Sequence, residues 1–188
     1  MRITISGPPG SGKTTVAEIL SNKLSMELVV GGKIFREWAE KMNISLSELG
    51  AIAEEQDKID RSMDDYLLKL LKGKDNVIVE SRLAGWLCHL NGIAAFKVFI
   101  DAKEEVRVSR IVSSLNERPG EGERDILKET REREKSEAER YLKYYGIDYS
   151  DRSIYDVVVD SSDRSAQEVS EVIISGLGLW QKSGRKEH

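Results

Sequence analysis

The sequence predicts an α/β fold: a doubly wound, three-layer sheet of five parallel strands. Three observations carry that expectation. Short segments rich in Val and Ile recur along the chain with little polar alternation, as strands buried on both faces do. Segments with helical spacing separate them, and such alternation implies crossover connections between parallel strands. The first strand runs into a glycine-rich loop that opens a helix, a phosphate-binding arrangement.

Taken in order, "RITIS" (2–6) is the first strand and "KTTVAEILSNKL" the helix behind the loop. "ELVV" (27–30) is the second strand. A glycine pair then precedes the helix "KIFREWAEKM", and "LSELGAIAEEQDKIDRSMDDYLLKLLK" continues as helix. "NVIVE" (76–80) and "AFKVFI" (95–100) are the third and fourth strands, and "KEEVRVSRIVSSL" is helical. "NERPGEGERD" (116–125) carries Pro119, Gly120 and Gly122 among charges and reads as a loop. The stretch from Lys128 to Asp148, "KETREREKSEAERYLKYYGID", places opposite charges three and four residues apart, the pattern of an exposed helix face. A helical excursion interrupted by Gly and Pro between the fourth and fifth strands predicts a mobile lid. "YDVVVD" (155–160) is the fifth strand and "SAQEVSEVIISGL" the closing helix. The end, 180–188, lacks periodicity and reads as a frayed tail, with Trp180 placed to dock on the body.

A chain of 188 residues fits one domain with a proper core. Charged residues make up 33%, above the roughly 25% of an average domain, as long exposed helices require. The net charge of −4 supplies no basic field, so neither nucleic acid nor membrane is an expected partner. Cys88, the one cysteine, excludes a disulfide framework and reads as a buried inert thiol. His89 and His188 form no ligand pattern. With no signal peptide and no apolar run of membrane-spanning length, a cytoplasmic protein is expected. No exposed apolar stripe stands out, so a monomer is expected.

"GPPGSGKT" fits G-x-x-x-x-G-K-[ST] at every fixed position. Gly7, Pro8, Pro9, Gly10, Ser11 and Gly12 would curl backbone N–H groups around a phosphate, with the next helix's N-terminus facing the anion. Lys13 would bridge the β- and γ-phosphates, the Thr14 hydroxyl would take a Mg²⁺ position, and Thr15 completes the turn. The expected ligand is a nucleoside triphosphate. Neither Asn-Lys-x-Asp nor a switch Asp-x-x-Gly of a GTPase occurs in the chain.

For an acceptor, Gly31 and Gly32 permit close approach to the backbone. Arg36 projects from the helix that follows, where its planar fork could hold a phosphate. Glu80, Ser81 and Arg82 sit at the carboxyl end of a buried strand, where open α/β sheets place ligands. Glu80 is a candidate Mg²⁺ holder beside the loop, in a Walker-B-like role.

The blocks "GPPGSGKTT", "GGKIFRE", "AEEQDKIDRSMDD", "ESRLAGW", "ETREREKSEAERY", "YYGIDYSDRSIYD" and "VVVDSS" resemble, in order, those of the archaeal-type cytidylate kinases among nucleoside monophosphate kinases. They cover nearly the whole chain. The resemblance implies a sheet in order 2-3-1-4-5, an acceptor-binding insert (31–73) and a lid (110–145). It implies that Arg36 and Arg82 contact the acceptor's phosphate, with Arg61 a further candidate. Arg133, Glu137 and Arg140 match a lid pattern in which the two arginines bridge both nucleotides' phosphates while the acid orients them or touches the base. At i, i+4 and i+7 they share one helix face, and Arg131 is an additional donor. Arg110 corresponds to an arginine that stacks near the ATP base, with Asp160 to Ser162 on the adenine side. The implied activity is phosphoryl transfer from ATP, with Mg²⁺, to CMP and dCMP.

The chain departs from the pattern in three places. Ser81 stands where relatives commonly have Gly, and Leu83 where bacterial members carry an acid. The segment 113–125, with Arg118 and Arg124, is longer and richer in Gly and Glu. The alternatives are a kinase preferring AMP or UMP, a non-catalytic ATP-binding module, and a hydroxyl kinase of the shikimate or gluconate kind.

Overall fold

Strands with apolar residues on both faces must be covered on both faces, and the chain solves this with one sheet between two helical layers. The computed structural model describes residues 1–55, 57–115 and 123–184; the side chains of Arg124 and Arg133 lie outside the described residues, as do Arg118 and His188 altogether. Strands β1 (Arg2–Ser6), β2 (Glu27–Val30), β3 (Val77–Glu80), β4 (Phe96–Asp101) and β5 (Val157–Asp160) are all parallel, in the order β2-β3-β1-β4-β5. This is the expected fold and the expected order. The register sets Ile5 beside Glu80 on one side and Val98 on the other. The carboxyl end of β3 therefore stands next to the loop that leaves β1.

Side-chain alternation along the strands divides the core in two. Ile3, Ile5, Ile78, Phe96, Val98 and Ile100 pack with α1 (Lys13–Leu24) and α8 (Ala166–Lys182) through Val16, Leu20, Val169 and Ile173. On the other face Val77, Val79 and Phe99 meet Leu67 and Leu71 of α4 (Asp57–Gly73), Leu87 of α5 (Ala84–Leu90) and Tyr141 of α7 (Glu123–Tyr145). Burying each such side chain contributes about 1.5–3 kcal/mol. Helix α4 is thus anchored to the sheet while its other face is available to neighbours.

Three helical boundaries differ from expectation. The pattern from 46 to 72 is divided into α3 (Leu46–Glu55) and α4. The glycine pair lies inside α2 (Gly31–Met42) rather than ahead of it. There Gly31 makes the close approach: a Cβ on it would stand 2.9 Å from the Ser81 Cβ. Helix α8 runs on to Lys182, past the expected end of the periodic segment, because Leu177 and Trp180 prolong its apolar stripe. Trp180 docks against Phe96 with ring centroids 5.8 Å apart, so the tail is ordered helix through that residue, and 185–188 lie outside the described residues. The short helix α5 went unread because seven residues barely complete two turns. The excursion between β4 and β5 contains α6 (Glu104–Leu115) and α7; the Pro119–Gly122 loop between them lies outside the described residues. No helix among the described residues is long and apolar enough to cross a membrane.

Leu67 is 1% exposed and ties α4 to the sheet. Leu67→Ala is expected to cost about 2–5 kcal/mol, seen as a lower denaturant midpoint with an unchanged slope.

Candidate active site

The loop between β1 and α1 is shaped by sterics before any ligand is considered. Gly10 has φ +74, and a Cβ on it would lie 2.4 Å from the Arg107 carbonyl oxygen. Only glycine lets α6 pack this close to the loop in that conformation. Arg107 reinforces the contact, its Nη1 donating to the Pro9 carbonyl at 3.2 Å and to Glu134 Oε1 at 2.5 Å. Lys13 Nζ folds over the loop to the Pro8 carbonyl at 3.2 Å and lies 3.9 Å from Glu80 Oε1. The Thr14 hydroxyl donates to Glu80 Oε2 at 3.1 Å. Two hard oxygen groups, from α1 and from β3, therefore adjoin at the mouth of the loop.

A cavity of about 520 Å³ opens along one side of this loop, lined by Gly10 through Val16 together with Arg110, Ile111, Ser114, Ser161, Arg164, Ser165, Ala166 and Val169. Arg110 closes it from α6. Its Nη2 donates to the Ser161 carbonyl at 2.7 Å and its Nη1 to the Ser161 hydroxyl at 3.0 Å. The Ser161 hydroxyl in turn donates to the Ser11 carbonyl at 2.9 Å. The loop, α6 and the end of β5 are locked together by this one serine, which sequence reasoning had only as part of a three-residue span. Arg164, not singled out from the sequence, lines the same cavity and donates to the Asp160 carbonyl at 2.6 Å.

On the other side of the loop a cavity of about 330 Å³ is lined by residues that include Pro8, Arg82, Glu137, Ala138, Tyr141 and Tyr149. Arg82 Nε and Glu137 Oε2 form an ion pair at 2.7 Å, with the two side chains 16% and 9% exposed. Burial alone would lower the Arg82 pKa, but the Glu137 carboxylate, Tyr149 and Tyr141 together outweigh it and hold the guanidinium above the ordinary arginine range. Arg140 Nε donates to Asp60 Oδ2 at 2.6 Å, and its Nη1 donates to the Ser136 hydroxyl. Against the lowering effect of burial, Asp60 raises the Arg140 pKa, with smaller contributions from Tyr141 and Glu137. The structure brings Glu137 to Arg82, while Arg140, three residues on along α7, reaches Asp60. Arg133 shares α7, with its side chain outside the described residues.

The charged helix has more than one working side. Lys128–Glu132 and Lys135–Glu139 are exposed i,i+4 pairs at 3.8 Å each, worth little by themselves. Arg131 Nε reaches Glu104 of α6 at 2.6 Å, also at the surface. Towards α4, the Tyr145 hydroxyl donates to Asp64 Oδ2 at 2.7 Å. Arg61, expected on the acceptor side, lies over the rings of Tyr144 and Tyr145 at 5.9 and 5.8 Å. Asp60, Asp64, Arg107 and Glu134 were all missed from the sequence, since each meets its partner across a long chain separation. The repeated acids of "DKIDRSMDD" were the available signal.

Arg36 is exposed on α2, its Nη1 3.8 Å from where a Gly32 Cβ would stand. Gly31 is occupied against Ser81, which explains how a serine is accommodated at that strand end. Leu83 is 2% exposed and belongs to the core. Cys88 is buried, which pushes its thiol up to about 11, so it stays protonated at neutral pH.

A profile described as the Cytidylate kinase-like family matches residues 2–163 of the chain. The curated cytidylate kinase of Sulfolobus acidocaldarius is 42% identical over 174 residues, spanning 93% of this chain and 92% of that protein. The cytidylate kinase of Archaeoglobus fulgidus is 41% identical over 177 residues, 94% of each. Among solved structures, a shikimate kinase from Bacteroides thetaiotaomicron superposes with a TM-score of 0.64 at 15% identity, covering 97% of this chain and 98% of that one. A gluconokinase from Sinorhizobium meliloti does so with 0.63 at 16% identity, covering 97% and 94%. At those identities the likeness is one of fold alone.

Two outcomes follow from the geometry. Gly10→Ala forces the loop from Arg107 and is expected to weaken nucleoside triphosphate binding about tenfold or more by calorimetry. Burial raises the Asp64 carboxyl from 3.8 to about 7, against the Tyr145 hydrogen bond and with help from Asp60 and Asp65. The folded state then holds a proton that the unfolded chain releases between those two values, so this group's contribution makes stability fall as pH rises through that window. Asp64→Asn is expected to flatten that decline in melting temperature; parallel profiles for the two proteins would show that Asp64 does not titrate there.

Proposed function

The chain belongs to the cytidylate kinase-like family, and on that premise we propose that it transfers the γ-phosphoryl group of MgATP to CMP and dCMP. The products are ADP and the corresponding diphosphate. The observation that carries this reading is the buried pair of Arg82 and Glu137 across the phosphate loop from the donor cavity, with Arg140 held by Asp60 farther along the same helix.

The chemistry of such a transfer is dominated by charge. A monophosphate already offers an anionic oxygen as nucleophile, so no proton need be taken from it; a sugar hydroxyl acceptor would need a carboxylate base. Glu80 and Glu137, the carboxylates facing the loop, are instead engaged with Thr14 and Arg82. The obstacle is repulsion between two polyanions, which preorganised cations offset. Lys13 attends the β- and γ-phosphates within the loop formed by Gly7 to Thr15. Arg82 and Arg36 hold the acceptor's phosphate, with Arg61 beside them, and Arg133 and Arg140 span donor and acceptor. Glu137 keeps Arg82 oriented until the acceptor arrives. Arg110 stacks on the donor base in the larger cavity, and 31–73 and 110–145 act as acceptor insert and lid. The adjoining oxygens of Thr14 and Glu80 suit Mg²⁺, which keeps few protein ligands and takes the rest from phosphate and water. Thr14 and Glu80 would hold the ion, which would supply positive charge to offset repulsion between the phosphates. Closure of α6 and α7 would exclude water and limit wasteful ATP hydrolysis.

A coupled ADP-release assay with CMP, dCMP, UMP, AMP and GMP tests the reading. CMP and dCMP are expected to be preferred, and Arg82→Ala, once shown to be folded, to lose about a thousandfold in kcat. A preference for AMP or UMP would reassign the acceptor and keep the mechanism. Silence with every monophosphate would contradict the kinase reading.

A further inference from the structure

We propose that Asp60 is the positioning residue for Arg140, acting from the acceptor-side helix α4 on the lid helix α7. The proposal rests on the kinase reading above and assigns a part to a residue that makes no phosphate contact itself.

The two side chains are 80 positions apart in the chain and meet at 2.6 Å, Arg140 Nε donating to Asp60 Oδ2. Both are largely enclosed, at 12% and 13% exposure. The Arg140 guanidinium also donates through Nη1 to the hydroxyl of Ser136, one turn back on α7. A planar fork gripped at Nε from one helix and at Nη1 from its own has its plane fixed by two independent elements. An ungripped arginine would have to give up its rotamer freedom at the moment of binding, and that loss would weaken phosphate capture. Held in place beforehand, it meets developing charge without reorganising.

The contact does not stand alone. Asp64, one turn after Asp60 on α4, accepts from the Tyr145 hydroxyl at 2.7 Å. Arg61 lies over Tyr144 and Tyr145 on the same side. Positions 60 and 64 share a face of α4, and 140 and 144–145 the facing stripe of α7. The excursion between β2 and β3 is thereby clamped to the one between β4 and β5, and the acceptor's phosphate is presented to Arg140 in a set register. Of the two carboxylate contacts, only that of Asp60 touches a phosphate-binding arginine; that of Asp64 joins helix to helix.

This difference makes the proposal testable by steady-state kinetics with MgATP and CMP. Asp60→Ala is expected to lower kcat about 100-fold, the scale of a misplaced catalytic group, with KM for MgATP within about twofold of wild type. Asp60→Glu, which keeps the carboxylate, should recover about a tenth or more of the wild-type kcat. Asp60→Ala/Arg140→Ala should be no slower than Arg140→Ala alone, because the two residues act as one unit. Tyr145→Phe, which loosens the helix contact without touching Arg140, should cost about threefold or less. If Asp60→Ala fails to fold, Asp60→Asn, which keeps the shape and loses the charge, replaces it, with a loss of about tenfold expected. The proposal is overturned if the charge-removing variant turns over at the wild-type rate, if the effects of Asp60→Ala and Arg140→Ala multiply, or if Tyr145→Phe reproduces the loss. A wild-type protein silent with CMP, dCMP, UMP, AMP and GMP alike overturns both this proposal and the kinase reading. A wild type active on CMP alongside an equally active Asp60 variant overturns this proposal alone.

Discussion

The buried ion pair between Arg82 and Glu137 joins the carboxyl end of the central sheet to the helix that crosses above it. Removing either partner would leave the other's charge enclosed, at a cost of about 3–5 kcal/mol for a fully buried pair. The pair therefore does more than stabilise. It keeps an arginine charged and oriented at the carboxyl edge of the sheet, where open α/β folds bind ligands. A second anion brought to that edge finds the arginine already desolvated and aimed, which is the condition for electrostatic work in a transfer between two phosphates.

The rest of the site is arranged around the same edge. The phosphate loop is clasped from α6 through Gly10 and Arg107 and from the end of β5 through Ser161, so its shape is set by packing on two sides. Helix α7 is then tied in three directions: to α6 through Glu134, to the strand end through Glu137, and to α4 through Arg140 and Tyr145. A helix so rich in charge has little apolar surface with which to dock; among its described residues Tyr141 is buried in the core and Tyr145 packs against it. Its position is specified by polar contacts, which have strict geometry and can be exchanged for those of a ligand.

How much of this could be read beforehand depended on range. The five strands, the loop and the placing of Arg82 at a strand end are local patterns, and the structure has them where the periodicity put them. The face carrying Glu137 and Arg140 also followed from spacing along one helix. What could not be read was who meets whom across the fold. Asp60 and Arg140, or Arg107 and Glu134, are separated by 80 and 27 residues, and nothing in either neighbourhood names the other. The same limit applies to Leu83: its position after a strand-end arginine looks like a binding position in the chain, and packing makes it core. Gly31, a glycine read for a ligand, is also needed for a helix to approach Ser81. Residues with two competing uses are the ones that sequence leaves open.

The central claim is that the cluster at the sheet's carboxyl edge moves a phosphoryl group from one nucleotide to another. Following the fate of the γ-phosphate of labelled ATP in the presence of CMP tests it most directly. The account predicts that the label leaves ATP only when CMP is present and is recovered in CDP. Label recovered as inorganic phosphate at the same rate with and without CMP would contradict it.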